Sequence, residues 1–332
     1  MTRLNVILGL VVLGLLFAHI AIGGTVPIAI RGIVAEILAG DQGGDDPQNS
    51  IIWRLRLPRA IGCMFAGSIL AAVGAAFQSL FRNPLAEPYV IGVSSGAAVG
   101  GTIAIVLGLG GAFGGLGVVG LAFVGGSLSL LLVLGLSRLQ GAIDVVRLLL
   151  AGVVIGSMMS AVMTLVMLLS GHDTNQIMRW LLGSTTPMFW PRVALLGGAS
   201  LLGTLCLLPY SRQLNAFAMD EFAAERLGVQ KGRLVAGVLG IGTAMTAVCV
   251  GSVGIIGFLG LVAPHIARSL VGPDLRRSLP ASALIGSALL LAADILAQRV
   301  LPGTELPIGA VTAIIGAPVL LIMLKERSQG FR

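Results

Sequence analysis

Few side chains in this sequence can do chemistry, and most stand alone in apolar runs. Asp294 lies within one such run, near its end. An acid in that setting is a candidate for ion or proton handling, or half of a pair with a nearby arginine. Glu87 is the other acid that could serve ion coupling. His265 has no second histidine or acid at metal-ligand spacing, so it reads as a hydrogen-bonded structural residue. Cys63, Cys206 and Cys249 lack pairing or metal spacing and read as small core residues; no metal site is expected. Gly92-Val93-Ser94-Ser95-Gly96 matches the G-x-S-x-G of serine hydrolases. That elbow needs a preceding strand and a surrounding triad. Here the glycines keep the register of a membrane helix and no His or Asp is near in sequence, so a nucleophilic Ser94 is rejected. No Gly-rich loop ending in Lys-Ser or Lys-Thr occurs, so the chain is not itself an ATPase, and no catalytic residue is assigned.

The elements that must carry these residues are membrane helices. Of 332 residues, 56% are hydrophobic and 11% charged, under half the charge of an ordinary soluble domain. The apolar runs are continuous and do not alternate, which selects helices over a barrel. The pattern predicts an all-α, single-domain chain over 1–332 with ten spans, near 4–23, 57–80, 89–109, 115–137, 147–170, 191–209, 232–251, 254–270, 277–299 and 307–324. The first is read as a retained span, not a signal peptide. Cytoplasmic termini put twice as many Lys and Arg inside as outside, and that fixes the orientation. Trp53, Trp180 and Trp190 then fall at outer boundaries, and Tyr89 and Tyr210 at inner ones. The net charge of +7 is spread over many span ends, which argues against a nucleic-acid partner. Residues 24–53 and 171–190 are expected as outer segments, with a surface helix over 27–38 and a polar turn over 41–50.

Three patterns ask for partners or for close packing. Arg54, Arg56 and Arg59 sit at an outer edge, against the positive-inside tendency; they either snorkel to lipid phosphate or face acids on an external protein. Residues 211–233 form a charged run holding Phe217, Met219, Phe222, Ala223 and Leu227 at helical spacing. Asp220 can cap a short helix there and Leu227-Gly228 can end it. That run is either gripped by another protein or lies solvated on the lipid surface. Met159, Met163 and Met167, with Met158, are core filler or the lining of an adaptable path. Gly92, Gly96 and Gly100 predict one smooth face on the third span, and Gly251, Gly254, Gly257 and Gly260 a bare strip at a period of three. Pro264 should kink or end its helix, and Gly316-Ala317-Pro318 should interrupt the last span.

Taken together, Arg56-Leu57-Pro58-Arg59, Asn83-Pro84-Leu85-Ala86-Glu87-Pro88 with Gly92 to Gly96, Leu227-Gly228-Val229, the run from Gly257 through Pro264 and His265 to Arg268, and Glu305-Leu306-Pro307-Ile308-Gly309 with Gly316-Ala317-Pro318 carry a resemblance. The chain resembles, over nearly its whole length, the FecCD-type permeases, membrane subunits of ABC importers for iron–siderophores, haem and vitamin B12. The resemblance implies a homodimer in the inner membrane, two ATPase subunits on the cytoplasmic side and a substrate-binding protein outside. ATP and Mg would be bound by the ATPase partner, and no cofactor by this chain. The coupling element would be Met219, Asp220, Glu221, Ala223, Ala224, Leu227 and Gly228. Arg56 and Arg59 match family arginines that meet glutamates on the binding protein. A third such arginine has Gln298 at its place, with Arg299 one residue later. Asp220, Phe222 and Glu225 stand where the family commonly has Gly, Glu and Arg. The implied function is the permease of a type II importer for a bulky metal chelate or cobalamin. The rivals are an ion-coupled secondary transporter and an intramembrane hydrolase.

Overall fold

The computed structural model describes residues 3–23, 28–42, 46–137, 144–171, 174–301 and 304–329, with the side chains of Ala223 and 322–329 left aside. Residues 24–27, 43–45 and 172–173 of the two expected outer segments lie outside that set. Among the described residues every regular element is helical. In chain order they are α1 (Arg3–Ile22), α2 (Ile30–Ala39), α3 (Pro47–Ile51), α4 (Leu57–Leu80), α5 (Val93–Val106), α6 (Leu116–Ser137), α7 (Val145–Leu169), α8 (Thr174–Leu181), α9 (Trp190–Leu207), α10 (Ser211–Met219), α11 (Glu221–Arg226), α12 (Lys231–Val253), α13 (Leu259–Val271), α14 (Leu275–Arg299) and α15 (Ile308–Gln329). Among the described residues seven helices are long and apolar enough to cross a membrane, and Val93–Val106, Leu259–Val271 and the Ile308–Leu321 part of α15 are shorter apolar stretches.

Helix α4 is the hub, packed on α14, α9, α13 and α12. Its glycines permit the approach: a Cβ at Gly67 would strike the Gly286 carbonyl, and one at Gly74 would strike Gly260. One end of the molecule, called here the Trp53 end, carries the Trp53–Trp190 ring pair at 6.1 Å between centroids. The other end carries residues 211–233.

Several expectations change. The second span starts earlier: Asp46 caps α3, Pro47 takes its first turn, and a π-helical turn over Ile52–Arg56 joins it to α4. The polar turn over 41–50 is therefore partly helical. The glycine strip of period three does not lie on one helix. Gly251 is in α12, Gly254 ends that helix at φ 75°, Gly257 lies in the connection, and Gly260 is in α13. Gly96 and Gly100 do form a packing face, against Gly125 and Leu121 of α6, but Gly92 is a left-handed turn residue preceding α5 and lies against Gly152 and Gly156 of α7. Pro264 neither ends nor replaces α13, which runs on to Val271. Proline removes the bond to the carbonyl four residues back, and here that carbonyl, Gly260 O, accepts from Gln78 Nε2 at 2.9 Å. Pro318 likewise lies inside an unbroken α15. Tyr89 and Trp180 do not mark opposite boundaries; both pack on one interior cluster with Ala97 and Ala247. The Tyr89 hydroxyl donates to Ile256 O at 2.5 Å and accepts from Ile256 N at 3.0 Å.

Candidate functional site

At the Trp53 end, four segments converge on Asp294, which is fully buried near the end of α14. Arg59 of α4 donates from Nε to Oδ2 at 2.8 Å and from Nη2 to Oδ1 at 2.9 Å. His19 Nε2 of α1 lies 2.6 Å from Oδ2. Gln298, one turn on, donates to Oδ2 at 2.9 Å, and Thr185 Oγ1 donates to Oδ1 at 3.1 Å. Arg59 Nη1 also reaches Glu305 Oε1 at 2.9 Å. A buried carboxylate needs such company, because an ion pair away from water must have its remaining lone pairs satisfied. Of the two readings open for Asp294, the structure realises the arginine pair. It also brings Cys63 close: ligand atoms of His19, Cys63 and Asp294 lie within 4.8 Å of one another, a proximity the sequence spacing hides. Both Asp294 oxygens already carry the Arg59 fork, so this carboxylate has its counter-charge from the chain itself.

The other two expected docking arginines have work in the fold as well. Arg56 is buried and donates to Ile20 O at 2.7 Å, and Arg299, which is exposed, donates to Ile22 O at 2.9 Å. Both thus satisfy final carbonyls of α1, where a cation is also favoured by the helix dipole.

At the opposite end, Asp220 Oδ1 accepts from Phe222 N at 2.9 Å and caps α11. Val229 N donates to Ala224 O at 3.1 Å and Gly228 N to Glu225 O at 2.9 Å, with Gly228 at φ 86°, the bond pattern of a Schellman stop. Leu214, Phe217 and Ala224 are buried and anchor the segment. Glu221 ties it down, pairing with Arg82 at 2.8 Å and with Lys231. Arg82 also stacks over Phe217, 5.5 Å from the ring centroid. The remaining apolar side chains face outward: Met219 is 89%, Phe222 75% and Leu227 78% exposed. Of Ala223, only the backbone falls among the described atoms.

The other motif residues hold the interior. Asn83 Oδ1 accepts from Leu85 N at 2.9 Å, which closes the turn that Pro84 enters. Glu87 Oε1 accepts from Phe258 N at 3.0 Å. His265 is half-buried on α13. Ser94 is buried, and its hydroxyl has no hydrogen-bond partner among the described residues. Met159 packs on the main core, Met167 packs beside Ile105 and Ile177, and Met163 is half-buried. Sequence reasoning missed His19 and Gln78, whose only signal was a polar side chain inside an apolar span. It also missed Arg192, which lines a cavity of about 970 Å³ at the Trp53 end with Arg59, Arg179, Trp180, Thr185 and Glu305.

The comparisons with known proteins fit this geometry. A family model described as the FecCD transport family matches residues 10–326. The chain is 38% identical over 310 residues to the uncharacterized ABC transporter permease protein YvrB of Bacillus subtilis, covering 92% of this chain and 88% of YvrB. It is 40% identical over 283 residues to the vitamin B12 import system permease protein BtuC of Klebsiella pneumoniae, covering 84% of each. A solved structure described as an inward-facing conformation of a metal-chelate type ABC transporter superposes with a TM-score of 0.84 at 30% identity, over 98% of this chain and 99% of the other. Those matches run through both ends of the molecule and the motif residues between them, and on them the chain belongs to the FecCD transport family, the membrane permease subunits of ABC transporters.

Proposed function

We propose that this chain is the permease of a type II ABC importer that moves a bulky metal chelate or a cobalamin inward, driven by ATP hydrolysis on a separate subunit. The observation that carries this reading is the trio Met219, Phe222 and Leu227, held in the open by a helix that is capped, stopped and anchored. Exposed apolar side chains on a fixed support are what a protein partner buries. The 211–233 end is then cytoplasmic and the Trp53 end external, as the Lys and Arg distribution favours. The seven long helices and three shorter apolar ones make ten spans in that reading. Helix α7 buries only Val145, Leu148, Gly152 and Ile155, and the rest of its surface suits lipid and a second copy across a shared path. ATP binding would move 211–233, and the Glu221–Arg82 pair would pass that motion to α4. A binding protein would dock at the Trp53 end, with Arg299 exposed and Arg56 and Arg59 set behind it.

The test is reconstitution in proteoliposomes with the cognate ATPase and binding protein. ATP-dependent uptake of the chelate is expected, with loss of uptake but not of membrane insertion when Leu227-Gly228 is disrupted. Uptake that proceeds without the ATPase, or that follows a proton gradient, would overturn the reading.

A further inference from the structure

Arg192 stands in the first turn of α9 and is 7% exposed. A helix N-terminus repels a cation, and a buried charge is costly without a counter-charge. Yet no carboxylate pairs with Arg192 among the described residues. Its guanidinium is held by two carbonyls, Nε donating to Gly115 O at 3.1 Å and Nη1 to Pro187 O at 3.4 Å, and lies 5.9 Å from the Phe189 ring centroid. The place is built for it: Gly115 has φ 83°, and a Cβ there would overlap the guanidinium. Of five guanidinium N–H groups, these bonds use two. Arg192 and the Trp180 ring both line the cavity described above. Arg179, also in the lining, is exposed and in no ion pair among the described residues. The acids in the lining, Asp294 and Glu305, are both engaged by Arg59.

A cavity with unused donors and a cation kept in an unfavourable place lacks one thing, an anion. We propose that this cavity binds an oxyanion, a carboxylate or phosphate group, on Arg192, with Arg179 as a further donor. Its volume suits a small solute. Resting on the permease reading for the source, the group belongs to the transported chelate, which is then anionic.

The test uses the full-length chain in phosphatidylcholine nanodiscs, titrated calorimetrically with inorganic phosphate and with ferric citrate, without ATP or partner. Saturable binding of at least one probe is expected, weakened ten-fold or more in Arg192→Met and less in Arg179→Gln. The probe should raise the thermal midpoint of the wild type but not of Arg192→Met. If Arg192→Met does not fold, Arg192→Lys serves, and it should bind with reduced affinity. No saturable binding, or undiminished binding in both variants, overturns the proposal. Discs containing phosphatidylglycerol separate the sources. A ten-fold loss of probe affinity there would assign the oxyanion to a lipid headgroup and overturn its assignment to the chelate. Because binding is read without transport, its failure leaves the importer reading standing, and failed uptake leaves the oxyanion site standing.

Discussion

One aspartate caps the start of helix α14 and a second lies inside the helix toward its other end, and the two are held in opposite ways. Asp274 precedes the helix and caps it, accepting from Arg276 N at 3.0 Å and from Asn215 Nδ2 at 2.7 Å. The dipole of its own helix favours it there, and the Arg276 side chain beside it holds its carboxyl well below the usual carboxylate range. Asp294 lies more than a turn inside the other end and is fully buried. It is kept by groups from α1, α4, the 185 segment and its own next turn. A charge in solvent needs little help and stabilises little; a buried one must recruit several elements and thereby locks them. The Trp53 end is accordingly fixed by its charges. The 211–233 end keeps its charges near water and leaves apolar side chains for a partner.

The sharpest way to break this comparison is to remove Asp294. Asp294→Ala leaves Arg59 buried without its main partner and should cost about 3–5 kcal/mol of stability, read by thermal unfolding in detergent. Replacing both members, Arg59→Met with Asp294→Leu, should recover most of that loss. A single variant as stable as the wild type would show that the cluster locks nothing. The matching experiment at the other end predicts the reverse split. Changing Met219, Phe222 and Leu227 together to serine should leave stability within about 0.5 kcal/mol. Capture of the ATPase subunit should fall on the order of 100-fold, as expected when several apolar anchors worth more than 1 kcal/mol are lost. Unchanged capture would remove this segment from the interface.

A smaller effect tests the middle of the molecule, which belongs to neither end. Gln78→Leu strands the Gly260 carbonyl, also takes the Oε1 acceptor from Arg268 Nη2 at 2.6 Å, and should cost about 1–3 kcal/mol. Pro264→Ala supplies an N–H for that carbonyl, so it should offset part of the loss in the Gln78→Leu background and do little alone. Additive effects in this double-mutant cycle would show that Gln78 does not substitute for the missing helix bond.

These cases also explain what the sequence could and could not reveal. Local signals were legible: Asp220 as a cap and Gly228 as a stop sit where expected, and among the described residues seven helices long and apolar enough to cross a membrane overlap expected spans. The glycine strip over 251–260 failed because a period of three says nothing about whether one helix continues, and Gly254 takes a conformation that ends it. Pro264 does not end its helix, for the opposite reason: the carbonyl it leaves free finds a partner 182 residues earlier in sequence, which no local rule reaches. The Asp294 cluster joins residues 19, 59, 185, 294 and 298; Asp294, Arg59 and Gln298 could each be singled out beforehand, but not that they meet, and His19 and Thr185 gave no such signal. Arg56 and Arg59 were visible as a charge anomaly, but their intramolecular partners were not.

The mildest test returns to Asp274. Asp274→Asn keeps a side chain able to cap α14 and removes only the charge. The loss should be about 0.3–1 kcal/mol at low ionic strength. A carboxyl held below its ordinary range in the folded protein stabilises it above the ordinary value, about pH 3.9. That contribution fades as the pH falls from there toward the lower folded value. Thermal midpoints of wild type and Asp274→Asn should therefore differ at pH 6, converge as the medium is acidified below pH 4, and converge at high salt even at pH 6. The Asp294→Ala difference should survive the same salt, because no solvent separates Asp294 from Arg59. If salt erased both differences alike, burial would not be what sets the two ends of α14 apart.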